Sequence, residues 1–144
     1  MATLNDLAQR MKELTASLSN EASRCAVDVA LALEQDLVLV TPVDTSNALS
    51  NWQVSLDAPI EDEITPYVPG VLGLTKLQSA SEAMRVAREK LKAKKPGQII
   101  YIVNNAPYIG ELNDGSSKQA PAGFVERCVL NAKLKVKDFN IQVK

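Results

Sequence analysis

Histidine is absent from the 144 residues, which excludes Ser-His and Cys-His nucleophilic catalysis, histidine metal ligation and the usual general base near neutral pH. The two cysteines, Cys25 and Cys128, stand far apart and neither belongs to a CxxC pair. Both are expected to be reduced, buried thiols. A metal centre would therefore have to be built from carboxylates alone or use cysteine. Asp44, Asp57, Glu61 and Glu63 are the acids from which a metal-dependent nuclease could be assembled, since two-metal chemistry needs carboxylates converging within a few ångströms. Nothing in their spacing brings them together, and the consecutive Glu61, Asp62 and Glu63 read first as a solvated charge run. The other chemistry on offer is phosphate binding by Arg85, Arg88, Lys90, Lys92, Lys94 and Lys95, which would suit a DNA-binding accessory factor with steep salt dependence. The same residues at a helix C-terminus also complement the helix dipole. No cofactor is expected, and an enzyme is the remoter reading.

The elements that would position these groups follow from periodicity. Leu4, Leu7, Met11, Leu14, Leu18, Ala22, Cys25, Val29, Leu33 and Leu37 recur every three or four residues, which predicts one long helix ending before Pro42. Thr3 is its expected N-cap and Asp6 completes a capping box. A helix of that length is on the order of 50 Å and should protrude or pack on a neighbour. Its second half, CAVDVALALEQDLVLV, is apolar nearly all round and is expected to lie deeper, with Asp28, Glu34 and Asp36 marking its solvent edge.

Asp44 or Thr45 is placed to cap a short helix, and 52–56 alternates as a half-buried strand with Trp52, the only tryptophan, in the core. The segment 57–77, with Pro59, Pro66, Pro69, Gly70 and Gly73, reads as an extended loop whose shape depends on assembly. A second helix is predicted over 79–95, with Ser79 as N-cap and Glu82 in the capping-box position, stopped by Pro96-Gly97. IIYIV at 99–103 is the strongest strand. A helical turn or two over 109–115 and a turn-rich loop lead to a final helix over 124–137, with Pro121 in its first turn and Val125, Cys128, Val129, Ala132 and Val136 facing inward. Phe139, Ile141 and Val143 alternate like an edge strand.

The chain as a whole has 46% hydrophobic and 23% charged residues, the composition of an ordinary folded domain. One domain over 1–144 is expected, α+β in class, with the long N-terminal helix and the C-terminal helix packed on a small, mostly antiparallel sheet. No basic stretch followed by an apolar core opens the chain and no apolar run reaches membrane-spanning length, so a soluble protein made in the cytoplasm is expected. The net charge of −1 hides a division. Residues 1–63 hold 11 acidic and 3 basic side chains, a balance of −8, and residues 64–144 hold 6 acidic and 13 basic, a balance of +7. Opposed halves suit contacts between copies of one chain.

Two segments resemble the small neck and tail-completion proteins of tailed bacteriophages, often described as minor tail components. The first is Thr41-Pro42-Val43-Asp44-Thr45 followed by Trp52; the second is Asn105, Pro107-Tyr108, Leu112, Gly115, Ser117, Gln119-Ala120-Pro121 and Gly123. The chain departs from that family at Ser46, where glycine is usual, and at Asn113-Asp114, where an acidic-aromatic pair is common. The resemblance implies a structural virion protein that forms a homo-oligomeric ring of six-fold or twelve-fold symmetry at the head-tail junction. Such a ring joins connector to tail, lets genome DNA pass without sequence-specific binding, contacts other neck, connector and tail proteins, and involves no membrane. A tail terminator ring capping the tail tube is the alternative within the same resemblance. The quoted residues, together with Glu61, Asp62 and Glu63 in the 57–77 loop, are the expected subunit and partner contacts. Pro107, Gly115, Pro121 and Gly123 could equally serve the turn geometry of the protomer.

Overall fold

The computed structural model describes residues 3–137. Thr3 caps the first helix, α1 (Leu4–Val40): its hydroxyl accepts from the Asp6 N–H at 3.2 Å while the Asp6 carboxylate accepts from the Thr3 N–H at 2.9 Å. Two of the four orphan donors of the helix start are satisfied in this way. At the other end Thr41 turns extended, as the residue before a proline must. Its buried hydroxyl donates back to the Leu37 carbonyl at 2.6 Å and accepts from the Trp52 indole N–H at 2.7 Å.

The remaining elements are α2 (Asn47–Ser50), β1 (Trp52–Leu56), α3 (Lys76–Leu91), β2 (Ile100–Asn104), α4 (Ile109–Asn113) and α5 (Phe124–Lys137). β1 and β2 form an antiparallel pair with Val54 opposite Ile102 and Leu56 opposite Ile100. The fold is α+β, with a long N-terminal helix, a C-terminal helix and a small two-stranded antiparallel sheet. One sheet face packs with α1 and α3 through Ala30, Val54, Ala87 and Leu91. A second cluster joins Leu37, Val38, Val43, Leu49, Trp52, Met84 and Cys128. α5 runs antiparallel to α1, since Phe124 and Cys128 sit beside Asp36 and Val40 whereas Val136 sits beside Cys25 and Val29.

Several expectations are corrected. α3 begins after Thr75, not Ser79, and closes at Leu91 before the last lysines. Ser79 is buried within it, and its hydroxyl holds the Val68 N–H and carbonyl; Glu82 pairs with Arg85 instead of completing a capping box. α2 is capped by neither Asp44 nor Thr45 but follows Ser46, whose side chain makes no cap bond. The strand shifts one residue, to 100–104, leaving Ile99 exposed. Pro121 lies ahead of α5 rather than in its first turn, and Val136 is exposed on the rim of a groove. Cys128 is buried and Cys25 half-buried, both free thiols. The expected edge strand at Phe139, Ile141 and Val143 lies outside the described residues.

The segment after β1 is not an assembly-dependent extension. Three side-chain amides grip its backbone: Asn51 donates to the Ile64 carbonyl and accepts from its N–H, Gln53 donates to the Asp62 carbonyl, and Asn105 donates to the carbonyls of Ile60 and Asp62. Asn51 and Gln53 are buried, so the loop backbone supplies the partners that buried amides require.

The two halves of α1 differ in environment. Every residue from Leu4 to Ala16 is exposed, including Leu4 at 84%, Leu7 at 55%, Met11 at 60% and Leu14 at 41%. From Ala30 onward one face is fully covered. Glu34, expected at the solvent edge, is instead 0% exposed. It falls on the same face as Ala30, Leu37 and Val38, and neither carboxylate oxygen has a hydrogen-bond partner among the described residues.

Candidate assembly interface

The two segments that carry the resemblance, separated by some 60 residues of chain, meet in the fold. Around a hollow of about 330 Å³ lie Pro42, Val43, Asp44, Thr45, Asn47 and Ala48 on one side and Tyr108, Leu112, Ser117 and Gln119 on the other. The joint is the Gln119 side-chain amide. Its carbonyl oxygen accepts from the Val43 N–H at 2.9 Å and its NH2 donates to the Val43 carbonyl at 3.0 Å, so one side chain satisfies both backbone groups of a buried residue. The Asn47 NH2 donates to the Tyr108 hydroxyl at 3.1 Å and to the Glu63 carboxylate at 2.9 Å.

Local geometry explains why these residue types stand there. Ser46 has φ 68°, the left-handed region where a Cβ is strained and glycine is at ease. Its hydroxyl, 3.0 Å from that of Thr75, ties α2 to the start of α3. Asp44 accepts from the Leu72 N–H through its carboxylate at 2.7 Å, and its carbonyl accepts from Gly73 at 2.9 Å. Gly73 has φ 73° and its Cα approaches the Val43 carbonyl so closely that a Cβ would lie 2.9 Å from that oxygen. On the other segment Gly123, at φ 78°, donates to the Asn113 carbonyl at 2.7 Å. The Asn113 NH2 bonds Glu126 and its Oδ1 accepts from Val125. Asn113 therefore closes the start of α5, work that falls to a hydrogen-bonding side chain.

Each expected contact residue can be placed. Thr41, Pro42 and Trp52 are buried inside the protomer; Thr41 and Trp52 hold the first segment from within, and of the three only Pro42 lines the hollow. Asp44, Thr45, Tyr108, Gln119, Pro107, Pro121 and Gly115 are exposed, and Leu112 and Ser117 are half-buried at the hollow. Asn105 and Gly123 are half-buried and engaged internally. Glu61, Asp62 and Glu63 are exposed beside the same joint, with Glu63 held by Asn47. Asn47, Asn51 and Gln53 were not singled out by the sequence, and Ser79 was expected only as a helix cap; the signal for Asn51, Gln53 and Ser79 is that amides and a hydroxyl sit at positions the apolar pattern puts inside.

Chemically the arrangement offers hydrogen-bond donors, acceptors and apolar walls. Asp44, Asp57 and Glu63 are committed to different partners: Asp57 receives the Ile99 N–H and the Gln98 amide. Among the described residues no three acids or cysteines converge to hold a metal ion. The basic side of α3 is in part neutralised along its length, Arg85 by Glu82 and Lys92 by Glu89, while Lys94 donates to the Ser23 hydroxyl at 2.8 Å. No described helix is long and apolar enough to cross a membrane. No family model, curated protein or solved structure matches this chain.

Proposed function

We propose that the chain is a structural virion protein of a tailed bacteriophage, closing into a homo-oligomeric ring at the head-tail junction that joins connector to tail and leaves a passage for the genome. It would be made in the host cytoplasm and act in the virion. The observation that carries self-assembly is the bare first half of α1. Leu4, Leu7, Met11, Leu14 and Leu18 line one stripe and are all exposed, spaced by three and four residues as helix-packing seams are. A patch of that kind marks an interaction surface.

Two further features favour a ring over a pairwise contact. In a ring each copy presents one surface to a different surface of the next, and the division into an acidic 1–63 and a basic 64–144 favours contact in one sense over its reverse. The hollow formed by the two resembling segments offers a second, polar surface for a neighbour or partner, with Asp44, Thr45 and Gln119 exposed around it. Native mass spectrometry across a concentration series tests the reading. Closed rings of six or twelve copies are expected. A chain that stays monomeric at high concentration, and that also fails to bind purified phage heads or tails, overturns it.

A further inference from the structure

Val71, Leu72, Leu74 and Leu77, where the loop after β1 runs into the first turn of α3, are 61% to 85% exposed. The backbone beneath them is held fast. The Leu72 N–H donates to the Asp44 carboxylate at 2.7 Å and the Gly73 N–H to the Asp44 carbonyl at 2.9 Å, while the Thr75 hydroxyl donates to the Val68 carbonyl at 2.6 Å. Leu72 itself has φ 54°, in the left-handed region where a bulky side chain is an outlier. The chain accepts a strained backbone in order to hold a leucine out in water. The result is a firm apolar knuckle facing solvent, of the kind that marks an interaction surface.

The knuckle and the bare stripe lie at opposite ends of α1. Asp44, which holds the knuckle, follows just after the C-terminal end of that helix. From there α3 runs back along α1: Ala80 and Met84 cluster with Leu37 and Val38, Ala87 and Leu91 with Ala30, and Lys94 reaches Ser23. Met11, in the middle of the stripe, is on the order of 45 Å of helix away from the end of α1. The two apolar surfaces therefore cannot cover each other within one chain. The stripe belongs to the acidic 1–63 and the knuckle to the basic 64–144, so contact between unlike ends is favoured over contact between like ends.

We infer that the Leu4–Leu18 stripe of one copy seats on the Val71–Leu77 knuckle of the next, so that unlike ends of the molecule meet head to tail. The inference rests on the self-assembly proposed above and names the two surfaces that perform it. Repeated from copy to copy, a contact between two different surfaces closes into a ring when its rotation allows. Stripe against stripe would stop at a pair.

Two variants separate the surfaces. Leu7→Glu with Leu14→Glu blocks the stripe and leaves the knuckle; Leu72→Glu with Leu74→Glu blocks the knuckle and leaves the stripe. All four positions are exposed, and thermal unfolding checks that both variants fold. Each alone is expected to self-associate about a hundredfold more weakly than the unaltered chain. Their equimolar mixture is expected to give one-to-one dimers and nothing larger in native mass spectrometry, because a single pair of intact surfaces remains. A knuckle variant that associates alone as tightly as the unaltered chain overturns the inference. With both surfaces otherwise intact, a mixture of Met11→Cys and Leu74→Cys chains is expected to cross-link position 11 to position 74 under a short bismaleimide, peptide mapping setting these links apart from those of Cys25 and Cys128. Links between two copies of position 11 alone, or none to position 74, overturn it equally. An unaltered chain that stays monomeric removes self-assembly and the inference together, whereas one that assembles without these links removes the inference alone.

Discussion

The two halves of α1 break the burial rule in opposite senses. From Leu4 to Leu18 apolar side chains stand in water; at Glu34 a carboxyl group stands in the core with neither oxygen bonded among the described residues. One continuous helix carries both exceptions, so helix formation and burial are separate matters here. The first half is held by its capping box and by backbone bonds, and its apolar face joins neither core cluster of the described residues. The second half is held by packing strong enough to tolerate a group that costs stability. Apolar surface without a partner points to association, whereas a polar group without a partner points to a protonation state.

The largest effect is expected at Glu34. Burial drives its pKa up to about 8, and the opposing attraction of Lys90 on α3 is the smaller influence. Below pH 4.5 the group is protonated in both folded and unfolded chains, and the folded state has its full stability. Between 4.5 and about 8 the unfolded chain ionises while the folded chain holds its proton, so stability falls as pH rises, by on the order of 4 kcal/mol in total. Urea unfolding of Glu34→Gln should lack that decline. An equally steep decline in the variant would place the lost stability elsewhere and end the contrast between the two halves.

The double change Leu7→Glu with Leu14→Glu sharpens the other side of the comparison. Each leucine withdrawn from a contact is worth roughly 1.5 kcal/mol, so self-association measured by sedimentation should weaken about a hundredfold while thermal unfolding of the monomer stays unchanged. If the monomer lost stability instead, the first half of α1 would be packed within the protomer. The smallest effect is expected at Ser46→Gly. Relief of the left-handed backbone favours glycine by about 1 kcal/mol, and loss of the hydroxyl bond to Thr75 opposes it by a similar amount. The unfolding midpoint should move little, and pairing the change with Thr75→Val should expose the backbone gain.

Elements set by local signals were legible in the sequence. The start of α1 at Thr3, its end at Pro42 and the two strands follow from caps, a ring and alternation within a few residues. The start of α3 was not, because the best-looking cap, Ser79, spends its hydroxyl on Val68, while Thr75, the residue before the helix, uses its own on the Val68 carbonyl and makes no side-chain cap bond. The position of Glu34 on the face of Ala30, Leu37 and Val38 was countable along the helix, yet the pattern of apolar residues around it suggested an edge. Periodicity tells which residues share a face, not what lies opposite. The resemblance picked out the residues of the candidate interface, but it could not assign Thr41, Pro42 and Trp52 to the interior or reveal that Gln119 grips Val43.

That grip spans 76 positions of chain. Loop closure over such a distance comes after nearer contacts have formed, since its entropic cost must be met before the bond rewards it. The hollow with its two rims thus exists only when the last part of the protomer has joined the first. A neighbour that recognises it recognises finished molecules, and chains still folding present no such surface to be captured.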